Sequence, residues 1–423
     1  MSPPRAPPDA PEYVSAAEAT RLMRVKPQTL YTYVSRGLIR SVGQLDDKRR
    51  LYHREDIQNA RTRSLARRGR GAAAEGAVRW GGAPVIDTAI TEITPEGPRY
   101  RGRLALDLAR ERTSFEATAE LLWTGVLQHA PERWQLGALP AGFAARLDAA
   151  ARGSPPLPIL TLFALAAGLL GAGATVRGEI GRGGTLTAGR DFLLVLAGCL
   201  GYLARRPGFR APRNAAGIAE LAAHTLLARP SAAAVAAIDR ALVLSADHEL
   251  SSSTFAARVA ASTGAELRAC VEAALVTHSG ATLGGGCDVA EDLLHDAVTR
   301  GEVRRRLAHA EQAGQRIPGF NLPLYPRGDP RARYLLELAR SIETRSARVR
   351  TIYAFIDEAE QRLGLRPSIE VGLVALAAAL DLPERSASAL WALGRSAGWI
   401  AHVIEQRLAG FVLRPRARYG GAG

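Results

Sequence analysis

Aromatic side chains are scarce in this 423-residue chain, at 6% of positions, and only two methionines occur. A large core must therefore be filled mainly by Ala, Leu and Val, the packing residues of closely spaced helices. Cysteine is nearly absent as well: Cys199, Cys270 and Cys287 are odd in number and far apart. That excludes a disulfide framework and a CxxC metal site, and it fits a reducing, cytoplasmic setting. A long apolar run is also missing. The apolar, uncharged segment LTLFALAAGLLGAGATV at 160–176 is short for a membrane span and is broken by glycines, so it reads as a buried helix. The start, MSPPRAPPDAPEY, has no apolar signal core; residues 1–11 read as a disordered proline-rich tail on a soluble protein.

What the chain has in excess is positive charge, and it is unevenly placed. Residues 1–79 hold sixteen Lys and Arg against eight Asp and Glu, a net of +8 out of the chain's +14. Concentrated basic charge suits a polyanionic partner; a solvated basic face is the plainer alternative. Within this region Ser15 and Glu18 form a capping box for a helix, and Val14 is placed to add a staple contact. The helix breaks near Arg24–Lys26, and Pro27 suits the first position of a second helix. Leu30, Tyr33 and Val34 provide that helix with an apolar face, and Arg36-Gly37 ends it. SVGQLDDKRRLYHREDI then reads as a hairpin with Asp46-Asp47 in its turn, followed by another helix near Arg54.

This order of helix, turn, helix and arginine-bearing wing over residues 12–60 resembles the DNA-binding domain of MerR-type and excisionase-type regulators. The resemblance implies that Gln28, Thr29, Tyr31 and Thr32 face a major groove and that Arg49 and Arg50 reach phosphates. Residues 61–79, which include RTRSLARRGRG, would be a basic linker. A small helical module that packs on its neighbour or binds protein is the alternative. Two wing arginines are a modest footprint, so DNA binding would require a dimer.

From residue 80 onward, apolar residues recur at three and four, in segments such as FEATAELLWTGVL, AAVAAIDRALVLSADHEL and ASALWALGRSAGWIAHVIEQRLAG. Gly and Pro punctuate the ends. This predicts an all-α body of stacked helices, with IDTAITEI and PRYRG as one short strand pair.

Several of these segments also carry a specific likeness. LSADHELSSSTFAARVAAST (244–263), IPGFNLPLYPRGDPRA (317–332), ALGRSAGWIAHVIEQ (392–406) and LRPRARY (413–419) are similar to the citrate synthase family, in order and spacing. The resemblance implies large and small helical domains, with a small domain at about 284–372, in a homodimer. The implied reaction joins an acyl-CoA to a 2-oxoacid, usually oxaloacetate, an acyl transfer in which the acyl group becomes an alkyl group. No covalently bound cofactor and no metal are implied; acetyl-CoA or another acyl-CoA is a co-substrate or ligand.

Carried over residue by residue, the likeness retains an anion clamp and loses proton handling. His248 matches the family's oxoacid-binding histidine. Arg331, Arg395 and Arg414 match carboxylate-binding arginines, Arg414 being the one that reaches into the neighbouring subunit's site. Guanidinium groups suit carboxylates because each can bind both oxygens. The loop THSGATLGGGCD, however, places Leu283 where the family has the histidine that donates to the enol oxygen. Leu322 stands where a second histidine polarises the ketone, and Glu370 stands at the position of the basic aspartate. Losing two donors lowers the rate by roughly 10⁴ or more. The loop glycines serve either backbone approach to coenzyme A or a hinge between helices.

Three functions fit these residues. One is a non-catalytic sensor of a 2-oxoacid or citrate-like acid, acting on DNA through its N-terminal module. The second is an active citrate or 2-methylcitrate synthase with Glu370 as base and Thr282, Asn321 or water as substitute donors. The third is a degenerate subunit that completes the site of a synthase paralogue.

Overall fold

A computed structural model describes residues 13–23, 25–35, 39–44, 47–54, 56–57, 60, 86–128, 133–171, 184–212, 217–296, 300–312, 317–342 and 346–414. The expectations for the proline-rich tail, for Arg24, Arg36-Gly37 and Asp46, and for the linker at 61–79 lie outside these residues, as does the side chain of Arg49.

At the front, strand β1 (Tyr13–Ser15) leads into helix Ala16–Met23, then helix Pro27–Ser35, then strands β2 (Ser41–Gln44) and β3 (Asp47–His53). Ser15 Oγ accepts the backbone N–H of Glu18, so half of the predicted capping box is formed. Strand β1 pairs antiparallel with β3, giving the order β1-β3-β2. Val14, Ala19, Met23, Leu30, Ile39, Tyr52, Ile57 and Ala60 close a small core of their own. Asp56 locks the sheet in place, accepting two 2.7 Å hydrogen bonds from Arg40. Those bonds and His53 hold its carboxyl well below the usual range although burial pushes it up.

The body opens on the expected strand pair, β4 (Thr91–Thr94) with β5 (Gly97–Tyr100), joined by the short β6 (Arg103–Leu104). Among the described residues, everything regular after Leu104 is helical. Helix Ser386–Ala409 runs through the middle and is buried nearly all round, including Trp391, Arg395, Trp399 and His402. It is built from small residues so that neighbours can come close. A Cβ on Gly398 would stand 2.2 Å from Asp247 Oδ1, and one on Gly394 would stand 2.7 Å from Ser245 Cβ. Glycine at these two places is what lets the end of helix Ala232–Ser245 bring Asp247 against the long helix. Trp123, fully buried, fixes helix Phe115–Thr124 to the same helix by donating its indole N–H to Ala397 O at 2.9 Å. Helix Ile159–Gly171 takes up most of the uncharged stretch and is largely buried, and no helix among the described residues is long and apolar enough to cross a membrane. Cys199, Cys270 and Cys287 are buried.

Candidate functional site

The site forms where the turn after helix Ala232–Ser245, the loop at 317–329 and the long helix Ser386–Ala409 converge. Asp247 is fully buried beneath it. Its Oδ1 accepts from Arg395 Nη1 at 3.0 Å and its Oδ2 lies 3.2 Å from His402 Nε2. Burial alone would raise the Asp247 pKa, but His402 and Arg395 overcome it and hold the carboxyl well below the ordinary range. Arg395 Nη2 is oriented in turn by Ser251 Oγ at 2.9 Å and Thr254 Oγ1 at 2.8 Å. Tyr100 caps this turn, donating its hydroxyl toward the carbonyls of Val243, Leu244 and Asp247.

Arg331, at the start of helix Pro330–Ile342, is held the same way. Asp329, two residues before it, takes Nε at 3.0 Å and Nη2 at 2.7 Å, and both side chains are buried. The pair keeps Arg331 charged against burial. Its guanidinium carbon lies 5.6 Å from the centre of the Tyr325 ring, in cation–π reach. Tyr325 Oη is 3.1 Å from Nε2 of the half-buried His248. Burial, then the charges of Arg331 and Arg395, push the His248 imidazole well below its usual pKa, so it is neutral. The fold therefore brings together His248, Arg331 and Arg395, three of the four residues of the expected anion clamp. The two acids that orient the arginines, Asp247 and Asp329, have no role in the sequence expectation.

Glu370 belongs to the same neighbourhood. It stands in the first turn of helix Ile369–Ala379, and the segment before that helix is tied to the 317–329 loop. Ser368 N donates to Gly319 O at 2.8 Å, Asn321 N to Arg366 O at 2.8 Å, and Arg366 N to Asn321 Oδ1 at 2.8 Å. Glu370 Oε2 is buried and has no hydrogen-bond partner, and burial raises its pKa. Asn321 adopts φ 54°, a left-handed conformation that asparagine tolerates. Its carboxamide oxygen accepts the backbone N–H of Arg366, which orients the side chain along that segment, and the residue is exposed. Thr282 is exposed in the turn between helices Leu267–His278 and Gly285–Asp296.

Leu283 lies half-buried in that turn, and Leu322 half-buried in the 317–329 loop. Neither offers a polar atom. The glycines beside Leu283 have a packing reason: a Cβ on Gly284 would stand 2.3 Å from Nε2 of His278. His278 is itself buried between Trp391 and Trp399, with ring centroids 5.0 and 5.3 Å away, and burial lowers its pKa to about 3. Sequence spacing places His278 five residues from Leu283; folding places its ring directly under the next residue. Arg414 is exposed on the extended segment after the long helix. In the front module, Gln28, Thr29, Tyr31 and Thr32 are all exposed on helix Pro27–Ser35 while Leu30 turns inward, and Arg50 is exposed on β3.

Known proteins share this arrangement of helices. A family model described as citrate synthase, C-terminal domain, matches residues 79–416. The chain is 30% identical over 217 residues to citrate synthase 2 of Bacillus subtilis, covering 50% of this chain and 58% of that one. It is 29% identical over 371 residues to 2-methylcitrate synthase of Mycobacterium tuberculosis, covering 80% and 89%. The chain thus spans about half the length of several curated relatives that it matches. Among solved structures, a ternary complex of citrate synthase from Thermoplasma acidophilum with carboxymethyl coenzyme A and oxaloacetate superimposes with a TM-score of 0.70. That match covers 81% of this chain and 95% of the other at 22% identity. Citrate synthase from Pyrobaculum aerophilum gives 0.67, covering 84% and 97%, also at 22% identity. At that identity these two structures speak for the fold.

Proposed function

Because the chain belongs to the citrate synthase family, we propose that it uses this fold to bind a four-carbon 2-oxodicarboxylate such as oxaloacetate, or a citrate-like acid, without condensing it. The bound acid then acts on DNA through the basic N-terminal module. One observation carries the first half. Two buried acids preset Arg395 and Arg331 beside a neutral His248, while the two positions that would handle protons are leucines. Preorganised cations still bind carboxylates; a methyl group cannot donate to an enolate or polarise a ketone.

The second half is supported by the exposed polar face of helix Pro27–Ser35 and by a physical route to it. Arg395 leans on Asp247, Asp247 on His402, and His402 Nδ1 approaches Glu405 at 4.0 Å. Glu405 accepts the backbone N–H of Ala89 at 2.8 Å, near the point where the chain enters the body from the front module. In parallel, Tyr13 of β1 donates to the carbonyl of Thr124, beside the Trp123 that is anchored on Ala397. A ligand can shift such a system only by binding its two states with different affinity. A homodimer would place two reading helices on one duplex and let Arg414 enter the partner's site.

Gel-shift titration over a salt series, with and without oxaloacetate, tests this. The expected result is affinity that falls linearly in log salt and changes on adding the acid. Salt-insensitive or absent binding contradicts the regulatory half. A second reading, an active synthase for acetyl-CoA or propionyl-CoA, is favoured by Glu370 alone: its unpartnered, buried carboxyl oxygen near Arg331 is suited to act as a base. Acyl-CoA binding is common to both readings.

A further inference from the structure

Leu322 occupies the place of a ketone-polarising histidine, but the same loop carries a phenol. Tyr325 N donates to Leu322 O at 2.9 Å, closing a tight turn, so the two side chains leave one short segment. The Tyr325 ring lies under Arg331, and its hydroxyl is 3.1 Å from His248 Nε2. Two of the three groups retained to hold an acid therefore touch this one residue. Leu322 offers no polar atom, and Asn321 is exposed, with its carboxamide oxygen turned to Arg366 N. A neutral imidazole has one N–H. With that hydrogen on Nε2, His248 donates to the phenol oxygen, and the phenol O–H is left to donate onward.

We propose that Tyr325 is the specificity-determining donor of the site, hydrogen-bonding the 2-oxo or 2-hydroxy oxygen of a dicarboxylate whose carboxylates are held by Arg331 and Arg395. This rests on reading the cluster of His248, Arg331 and Arg395 as a dicarboxylate site and adds what that reading lacks, a means of telling a keto acid from a plain diacid. Burial pushes the Tyr325 pKa up to about 12, so the phenol remains a donor across the physiological range. A site built to hydrogen-bond one oxygen discriminates strongly against an analogue without it, because its polar groups are then left unpaired.

The test is calorimetric titration of the full chain with oxaloacetate, malate and succinate, for wild type, Tyr325→Phe and the double variant Leu322→His, Tyr325→Phe. Phenylalanine keeps the ring under Arg331 and removes only the hydroxyl, and thermal melting checks that each variant folds. Wild type should favour oxaloacetate and malate over succinate by about tenfold or more. Tyr325→Phe should lose most of that preference while its succinate affinity stays within about twofold, and the added histidine should restore part of it. An unchanged preference in Tyr325→Phe overturns the proposal. An equal fall for all three acids also overturns it, since it marks a packing role. Wild type that binds none of the three removes the dicarboxylate site itself, and this inference with it.

Discussion

Replacing Asp247 with asparagine isolates the part of the site on which everything else leans. The carboxylate pairs with Arg395 at 3.0 Å and with His402 at 3.2 Å, and the three side chains are 0–3% exposed. Removing one partner of a buried pair costs ~3–5 kcal/mol because the other charge is left uncompensated. Asparagine still offers one acceptor oxygen to Arg395, which returns about 1 kcal/mol. A net loss of roughly 2–4 kcal/mol is expected, seen as a lower urea midpoint with an unchanged slope. Intrinsic fluorescence of the buried Trp123 and Trp399 reports it.

The pH dependence is more diagnostic. The folded Asp247 pKa lies well below the unfolded value of about 3.9. Its contribution is therefore complete above roughly pH 5 and is lost as pH falls below about 4 toward the folded value. The stability gap between wild type and Asp247→Asn should be flat from about pH 5 to 8 and should narrow below about pH 4. No gap at neutral pH, or a gap that persists undiminished in acid, would refute the claim that a charged Asp247 holds Arg395 in place.

Two further substitutions probe the neighbouring elements. Glu370→Gln should stabilise the protein at neutral pH, because burial raises the folded pKa of the carboxyl. A raised acid contributes below its unfolded value of about 4.3 and loses that contribution as pH rises through the folded value, so the advantage of Gln should shrink toward about pH 4 in thermal melts. Gly284→Ala should destabilise by ~1–3 kcal/mol, because the new methyl meets the His278 ring 2.3 Å away and the His278 backbone oxygen 2.6 Å away. Trimming the ring in Gly284→Ala, His278→Ala should recover the part of the loss due to the ring; additive losses in the cycle would show that the ring is not the cause.

Much of the architecture is legible before folding because its determinants are local. Three-and-four periodicity marks the helices, Pro27 marks the start of Pro27–Ser35, and Gly97, at φ 126°, opens β5 directly after the turn from β4. Strand β1 is not legible: Tyr13–Ser15 is three residues long, too short for alternation, and exists only because β3 pairs with it. In the site, motif register finds His248, Arg331 and Arg395 but not their orientation. Asp329 could be found, since it stands two residues from Arg331 in the same motif. The Asp247–His402 contact spans 155 residues and needs the close approach at Gly398. The meeting of His278 with Gly284 and that of Tyr325 with His248 likewise depend on tertiary packing, where separation in sequence says nothing about separation in space.

Thiol release from acetyl-CoA and propionyl-CoA with oxaloacetate, at high protein concentration, decides whether the clamp has been separated from catalysis. The comparison is wild type against the triple variant Leu283→His, Leu322→His, Glu370→Asp. On the proposed reading, wild type should show no turnover and the variant measurable condensation, because that reading retains the anion clamp and lacks only proton handling. Robust wild-type turnover would overturn this and would make the chain a working synthase with Glu370 as its base.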